Sequence, residues 1–418
     1  MTTVAYIANQ FPSSIESYVM DEISELRKRG VRVICCSGKR VRSRELGERE
    51  REFWNETRFF QPLSDTQLMR AVRRLSSQPQ AYSLLLKPVL RELPVSPARR
   101  LRSLGHTVMG AAMAEELAPF AVQHLHAHHG YFASWMALVA ARLLGIGFSF
   151  TLHGSDLLVR ADLLAAKLHE CRFCVTVSDF NRKHILKSFP STPPSKVIVQ
   201  RLGVDRVPRS NVPVVKPQPR RLCLLSVGRL HAVKNYAFLI QACAALRDEG
   251  VDFLCWIVGE GPDRPALELL IDELRLRDQV LLLGYVDRAD LFSYYQYADL
   301  VALTSLSEGL PLVLMEAMAH EKLVLAPAIT GIPELVEHGR TGFLYKSGSL
   351  TDFISTVRWI LDHTASLGAV QRSAAESIAV NYNRQQNVGQ FADQFLARID
   401  QPESQYASSL LQQVQLSV

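Results

Sequence analysis

Two acids and two cations in the second half of the chain have the types and spacing of a site for a phosphorylated ligand. Arg229 and Lys234 follow an apolar run, residues 222–227, that is typical of a buried strand. An arginine fork and a lysine point charge suit a diphosphate, which would also meet the N-terminus of the helix that follows. Glu308 and Glu316 are separated by seven residues. Their carboxylates can therefore contact two different parts of one ligand.

The elements around Glu308 and Glu316 are predicted to be a strand, a tight loop and a helix. The apolar run 300–303 indicates the strand, and Gly309 allows the backbone to turn close to a ligand because it lacks a Cβ atom. Pro311 suits the first turn of a helix that continues to Met318. A strand, loop and helix N-terminus together favour anion binding. The alternative is that Glu308 only complements the helix dipole and Glu316 lies on the surface.

In the first half of the chain, His153 directly follows a predicted strand, residues 147–152. Ligands of open α/β sheets collect at the carboxyl ends of strands, so His153 is a candidate for ligand contact. Asp156 has a simpler interpretation as the N-cap of the next helix.

Four histidines within six positions form a second candidate group: His124, His126, His128 and His129. Such density suggests a metal site, but no cysteine or acid lies nearby in the sequence to complete a ligand set. The local pattern is a short strand that runs into a loop before a helix, residues 133–144. We favour side chains that line a ligand cleft over a metal site, and surface histidines remain a third interpretation.

Several segments resemble the family 4 retaining glycosyltransferases. The segment that starts at Ser307 reads S-E-G-x-P-x-x-x-x-E-A-M-A, and residues 228–235 read G-R-L-x-x-x-K-N. Residues 258–262 read V-G-x-G-P and residues 151–156 read T-x-H-G-x-D. The N-terminal phrase F-P-x-x-x-E-x-Y-V, which begins at Phe11, is similar to the subgroup that builds exopolysaccharide and colanic-acid-type repeats. The resemblance implies an α/β GT-B fold, with two Rossmann-like doubly wound domains facing a central cleft.

The resemblance also implies a role for each matching residue. Arg229 and Lys234 would bind the donor diphosphate and stabilise the leaving group, and Glu308 would contact hydroxyls of the donor sugar. Glu316 would hold the nucleotide ribose, and His153 would lie beside the sugar. The further donor-binding positions are Gly259, Gly284, Tyr285, Val286, Gly309 and Leu310. The acceptor cleft would include Pro12, Ser13, His126, His128 and His129.

Two positions depart from the family pattern. Many members have a glycine-rich loop after the first strand, where this chain has Phe11-Pro12-Ser13-Ser14. Thr330 stands where the family usually has a glycine.

The chain is long enough for two or three domains, and we predict two. Residues 1–205 would form the N-terminal acceptor domain, with a helical basic insert at about 66–118, and residues 221–385 the donor domain. The proline-rich residues 206–220 would be the linker. Residues 386–400 would form a helix that returns to the first domain, and residues 401–418 a loose tail.

The composition, with 48% hydrophobic and 21% charged residues, is that of a globular protein. No signal peptide is recognised, and seven cysteines without framework spacing fit a reducing cytoplasm. The net charge is +6, and between Thr66 and Leu104 only Glu92 opposes eight cations. That basic, amphipathic segment suits either peripheral contact with an anionic membrane or an ordinary solvated face. No nucleic-acid-binding motif accompanies the charge.

We therefore expect a retaining glycosyltransferase that moves sugar from a UDP- or GDP-sugar to a saccharide or lipid-linked saccharide in polysaccharide synthesis. No cofactor and no metal are expected, because Arg229 and Lys234 would neutralise the diphosphate. The alternatives are a non-catalytic sugar-nucleotide-binding or assembly subunit, or another GT-B enzyme such as a nucleotide-sugar epimerase. The sequence leaves open the sugar, the base and the acceptor.

Overall fold

The computed structural model of the chain describes residues 1–13, 16–42, 46–91, 97–159, 162–205 and 221–400. The chain divides into two compact units. Unit 1 comprises Met1–Gln200 with Val388–Val418, and unit 2 comprises Arg201–Asn387. The predicted linker at 206–220 and the predicted tail at 401–418 lie outside the described residues.

Unit 1 is built on a seven-stranded sheet in the order β3-β2-β1-β4-β5-β6-β7, in which all neighbouring strands are parallel. The strands are β1 (Thr3–Gln10), β2 (Arg32–Lys39), β3 (Arg58–Phe59), β4 (His124–His128), β5 (Gly147–Leu152), β6 (Phe173–Thr176) and β7 (Val197–Val199). The helices are α1 (Ser17–Lys28), α2 (Glu48–Glu56), α3 (Asp65–Ser77), α4 (Pro79–Arg91), α5 (Pro97–Leu117), α6 (Phe132–Leu144), α7 (Ser155–Leu158), α8 (Leu164–Glu170) and α9 (Asp179–Ser188).

Both faces of this sheet are covered, and β1 is correspondingly buried and mainly apolar from Val4 to Ala8. Alternate residues point to opposite faces of a strand. Ala5 and Ile7 pack in the core on the side of α5 and α6, whereas Val4 and Tyr6 pack in the core on the side of α1. The last helix, α17 (Arg384–Ile399), contributes Phe391 and Phe395 to the α1-side core.

Unit 2 contains a six-stranded parallel sheet in the order β10-β9-β8-β11-β12-β13. Its strands are β8 (Leu222–Val227), β9 (Phe253–Val258), β10 (Val280–Gly284), β11 (Leu300–Ala302), β12 (Leu323–Pro327) and β13 (Phe343–Tyr345). Its helices are α10 (Tyr236–Asp248), α11 (Arg264–Glu273), α12 (Arg288–Tyr297), α13 (Leu312–Ala319), α14 (Ile332–Leu335), α15 (Leu350–Asp362) and α16 (Leu367–Asn381). The predicted α/β class, with two Rossmann-like doubly wound sheets, is confirmed.

Each sheet has a topological switch point, where the strand order reverses. The switch lies between β1 and β4 in unit 1 and between β8 and β11 in unit 2. Crevices at the carboxyl ends of strands beside a switch point are the usual ligand sites of open α/β sheets. Ligand sites are therefore expected in the loops after β1, β4, β8 and β11.

One local prediction needs adjustment. Pro311 has an extended backbone, with φ −74° and ψ 115°, and precedes the first residue of α13. Pro311 therefore occupies the N-cap position of the helix instead of its first turn.

Within the described residues, no helix is both long and apolar enough to cross a membrane.

Candidate active site

The loops after β8 and β9 pack against each other so closely that two glycines are required. The Gly228 N–H donates to Val258 O at 2.9 Å, and the Leu230 N–H donates to Glu260 O at 2.9 Å. A Cβ atom on Gly259 would lie 2.1 Å from Gly228 O, and one on Gly261 would lie 2.1 Å from Leu230 O. Real Cβ atoms do not approach oxygen that closely, so side chains are excluded here. The V-G-x-G-P segment thus fixes the loop that carries Arg229.

The predicted donor residues Lys234 and Glu308 are in direct contact. Lys234 Nζ lies 2.6 Å from Glu308 Oε1, and Ser305 Oγ donates to the same oxygen at 2.6 Å. The side chains of Lys234 and Glu308 are only 21% and 13% exposed. The loops after β8 and β11 therefore meet at the switch point of unit 2.

Arg229 lies on the same β8 loop, five residues before Lys234, and its side chain is exposed. It makes no hydrogen bond or ion pair with the described residues of unit 2. A free guanidinium beside an ion-paired lysine leaves positive charge available to a ligand. The arrangement suits a diphosphate.

Thr330 explains how the chain tolerates the departure from the family's glycine. Its backbone is left-handed, with φ +47°, a region that favours glycine. Its Oγ1 accepts a hydrogen bond from the Glu308 N–H at 3.3 Å. The hydroxyl therefore helps to hold the loop that carries Glu308, which offsets part of the backbone cost.

Glu316 lies on α13 and accepts a hydrogen bond from the Tyr295 hydroxyl at 3.0 Å. The Tyr295 ring stacks on His320 at a centroid distance of 5.3 Å. Glu316 is thus held on the face of α13 that meets α12. The alternative of a solvated surface glutamate does not describe it.

The remaining predicted donor positions differ in exposure. Gly309 and Leu310 are buried, with Leu310 only 5% exposed. Gly284 has φ +77° and accepts a hydrogen bond from the Gly259 N–H at 2.8 Å. Tyr285 is 62% exposed and Val286 is half-buried, so the backbone after β10 is open to a ligand.

In unit 1, the loop after β5 is organised by the buried carboxylate of Asp156. It accepts hydrogen bonds from the N–H groups of His153, Gly154 and Gly130, at 3.0, 2.8 and 2.8 Å. Asp156 therefore joins the loops after β4 and β5. The interpretation of Asp156 as the N-cap of the next helix was wrong, since Gly154 occupies the N-cap of α7.

His129 carries a positive charge between two acids. His129 Nε2 lies 2.9 Å from Glu16 Oε1, and His129 Nδ1 lies 3.6 Å from Asp156 Oδ2. Burial opposes the charge, but the two carboxylates outweigh it and raise the pKa of His129 to about 10. Burial likewise opposes ionisation of Glu16 and Asp156, but His129 lowers the pKa of both. Asp156 is fully buried and the side chains of His129 and Glu16 are 12% and 28% exposed, so the three groups form a largely buried ion cluster.

His126 and His128, which lie on β4 itself, are interior residues. His126 is fully buried, and its two ring nitrogens lie 2.8 Å from Ser149 Oγ and 3.0 Å from Thr151 Oγ1. His128 is also fully buried, with Nε2 3.1 Å from Glu22 Oε2. Neither side chain lines an open surface of unit 1. This differs from the prediction that His126 and His128 line the acceptor cleft. The reason is that β4 is a central strand covered on both faces.

No acid lies near the histidines in the sequence, but the fold brings two acids to them. Glu22 on α1 and Glu16, the N-cap residue of α1, reach them across more than a hundred residues of sequence. Among the described residues, Glu22, His126 and His128 place ligand atoms within 4.8 Å of one another, which is close enough for a metal ion. The ring nitrogens of both histidines already have hydrogen-bonding neighbours, so the contacts favour a hydrogen-bonded network.

The loop after β1 holds the two remaining acceptor candidates. The Phe11 N–H donates to Ser37 Oγ at 2.9 Å, and Phe11 packs edge-on against Phe53 at 5.6 Å. Pro12 is buried and Ser13 is half-buried. This loop is anchored by an apolar ring instead of glycines, and Ser13 is its more accessible residue.

A surface depression of about 710 Å³ in unit 2 lies away from these residues. It is at the amino ends of β8 and β12, and its arginines are paired, Arg358 with Glu249 at 3.0 Å and Arg221 with Asp252 at 3.1 Å. Ligands of this fold bind at the carboxyl ends. We assign it no function.

Comparisons with known proteins match both parts of the chain to glycosyltransferase families. The family described as Glycosyltransferase Family 4 matches residues 15–207, and the family described as Glycosyl transferases group 1 matches residues 211–376. A putative colanic acid biosynthesis glycosyltransferase, WcaL of Salmonella typhimurium, is 33% identical over 46% of this chain and 49% of that protein. The amylovoran biosynthesis glycosyltransferase AmsK of Erwinia amylovora is 28% identical over 54% of this chain and 65% of that protein. The chain thus spans half to two thirds of these relatives.

Solved structures share the fold. HepE of Anabaena, solved with UDP and glucose, superposes with a TM-score of 0.68 at 17% identity, over 95% of this chain and all of that one. The sucrose-phosphate synthase of Thermosynechococcus elongatus superposes with a TM-score of 0.72 at 18% identity, with the same coverage. At these identities the likeness concerns the fold alone.

Proposed function

The chain belongs to the family 4 glycosyltransferases, and from that membership we propose that it is a retaining enzyme of exopolysaccharide synthesis. Its donor is a UDP- or GDP-sugar, and its acceptor is a saccharide or a lipid-linked saccharide. The observation that carries the proposal is the contact between Lys234 and Glu308 beside the free Arg229, at the switch point of unit 2.

The chemistry follows from the charges that develop during transfer. As the bond from the anomeric carbon to the diphosphate breaks, negative charge grows on the phosphate oxygens. Arg229 and Lys234 are already in place, so they stabilise that charge without reorganisation of water. Glu308 orients a sugar hydroxyl, and Glu316 anchors the ribose, so that binding energy is used for positioning. Attack on the same face as the departing group retains the configuration, and no protein nucleophile is needed.

The proposal is tested by slow hydrolysis of a panel of UDP-, GDP- and ADP-sugars. We expect the wild-type protein to turn over one donor, and the variants Glu308→Ala and Arg229→Ala to lose that turnover. Arg340→Ala is the matched control, because its side chain is 70% exposed and pairs only with Glu337 among the described residues. Binding of a donor without turnover, unchanged in both variants, would favour the non-catalytic alternative.

The same assay tests the metal prediction. EDTA should leave turnover unchanged, because two cationic side chains neutralise the diphosphate. Complete loss of turnover with EDTA, restored by a divalent cation, would contradict it.

A lipid-linked acceptor is supported by the surface of α3. Leu68, Met69 and Val72 are 46%, 65% and 50% exposed, and the exposed Arg70 and Arg73 lie beside them on the same helix. Apolar side chains among arginines suit the interface of an anionic membrane, where each cation near the surface contributes about 1 kcal/mol. We propose that this face of α3 docks there.

Co-sedimentation with vesicles tests the docking. We expect the wild-type chain to pellet with phosphatidylglycerol vesicles and to stay in solution with neutral phosphatidylcholine vesicles. Arg70→Glu/Arg73→Glu should release it, whereas the equal charge change Arg277→Glu/Arg340→Glu in unit 2 should not. Equal pelleting of the two double variants would contradict the assignment to α3.

A further inference from the structure

A line of contacts runs from Glu22 on α1 through His128 to His153; Glu22 and His128 are buried and His153 is half-buried. Glu22 Oε2 lies 3.1 Å from His128 Nε2, and His128 Nδ1 lies 3.2 Å from His153 Nε2. Each residue of the line comes from a different element: α1, β4 and the loop after β5. The line ends at His153 Nδ1, which is buried and has no hydrogen-bond partner among the described residues.

The histidine rings at this end are held in place by neighbours. The Tyr18 ring lies 4.7 Å from the His153 ring, and the His129 ring lies 4.6 Å from it on centroid distances. Asp156 fixes the backbone of His153 through its N–H group. The ring therefore has little freedom to turn, and its Nδ1 remains without a partner. A buried polar atom without a partner is costly, which calls for a ligand atom to complete it.

The direction of the hydrogen bonds follows from the state of Glu22. Glu22 is only 6% exposed, and burial, with a smaller contribution from Asp21, raises the pKa of its carboxyl group well above the usual range, which favours the protonated form. Burial also lowers the pKa of His128 to about 3, so that ring is neutral. A protonated Glu22 donates to His128 Nε2, and His128 Nδ1–H then donates to His153 Nε2. The single proton of a neutral His153 must therefore reside on Nδ1.

We propose that Glu22 and His128 are positioning residues that fix His153 as its Nδ1–H tautomer and so present a hydrogen-bond donor to the sugar substrate. The nature of the ligand rests on the proposed function, whereas the tautomer does not. An ionised Glu22 would reverse every bond of the line and turn Nδ1 into an acceptor. The line thus decides whether His153 donates to a hydroxyl oxygen or accepts from a hydroxyl proton.

The tautomer is measured by long-range ¹H–¹⁵N correlation spectra of the full chain labelled with ¹⁵N-histidine. His153→Gln assigns the His153 signals among the twelve histidines. We expect a proton-bearing Nδ1 and a bare Nε2 in the wild-type chain and in Glu22→Gln, whose amide can still donate. Glu22→Leu removes the donor and should give mixed tautomers, and donor turnover should fall about tenfold in kcat with KM changed less than twofold.

Tyr6→Phe is the matched control, since the Tyr6 hydroxyl is buried in the same core without a hydrogen-bond partner in the described structure. It should change neither the tautomer nor turnover. A wild-type spectrum with the proton on Nε2, or an unchanged tautomer in a folded Glu22→Leu, overturns the proposal. The wild-type spectrum decides even if Glu22→Leu does not fold. It requires no donor, so a failure of the proposed function would appear separately, as the expected tautomer without turnover.

Discussion

Lys234→Met is expected to lower kcat for donor turnover by about 10³-fold, which is at the upper end of what one preorganised charge supplies to a transition state. Methionine keeps an unbranched side chain that is one atom shorter and removes the charge that meets the leaving diphosphate. The same change removes the partner of Glu308, whose Oε1 then keeps only the Ser305 hydroxyl among its hydrogen-bond donors in the described structure. Two contributions to catalysis are lost with one side chain.

The contact between Lys234 and Glu308 also predicts how the effects of the two substitutions on kcat combine. Because each residue orients the other, Lys234→Met/Glu308→Gln should lose much less than the product of the two single effects. Lys346→Met is the matched control, since Lys346 is an exposed lysine of the same unit. Steady-state kinetics on the donor identified in the panel gives kcat for the wild type, the two single variants and the double variant. Independent, multiplicative losses would contradict a shared role at the diphosphate.

The grouping of the candidate residues in unit 2 could be predicted from the sequence because these residues lie close to strand ends. Arg229 is two residues beyond β8, and Glu308 is six residues beyond β11. Apolar runs mark such strands, and parallel order brings their carboxyl ends to one edge. The contact itself needed the structure, since local sequence does not state that the loops after β8 and β11 meet.

The network of the first unit could not be predicted in the same way. Glu16 and Glu22 lie more than a hundred residues from the histidines that they contact. One signal was available: Glu22 interrupts an otherwise apolar face of α1 formed by Val19, Ile23 and Leu26. A charged residue is rarely buried unless it is paired, so an acid at such a position indicates a distant polar partner.

Lys167 on α8 is a second buried charged residue whose role could not be predicted from the sequence. It is fully buried, and its ammonium group donates to the backbone carbonyls of Gly130 and Asp162, at 2.5 and 2.6 Å. Burial lowers its pKa to about 7. The sequence shows only an ordinary lysine in a helix. In the structure, its ammonium group holds the loop that follows His129 by a hydrogen bond to Gly130 O. Tertiary placement decided its role.

His129→Asn is expected to lower the free energy of unfolding of unit 1 by about 3 kcal/mol at pH 6, the usual cost of removing one partner of a buried ion pair. Asparagine is chosen because His129 has φ +70°, and asparagine tolerates this left-handed backbone. The loss arises because Glu16 and Asp156 would keep their buried negative charges without the imidazolium. Hydrogen–deuterium exchange of peptides from β4 and β5, corrected for intrinsic rates, reports the change.

The pH dependence separates this cause from a simple packing defect. The pKa of His129 is raised to about 10 in the folded chain, against about 6.5 when unfolded. Its contribution is therefore complete below about pH 6.5 and is lost as the pH rises towards 10. Asp156 has a lowered pKa, so its contribution is present above about pH 4 and is lost on acidification. The difference between wild type and His129→Asn should be largest between these limits and should shrink from pH 6.5 to 9.5. The same substitution at His169, whose side chain is 76% exposed, should have little effect at any pH. A difference for His129→Asn that stays constant across this range would mean that shape, and not charge, holds the loops after β4 and β5 together.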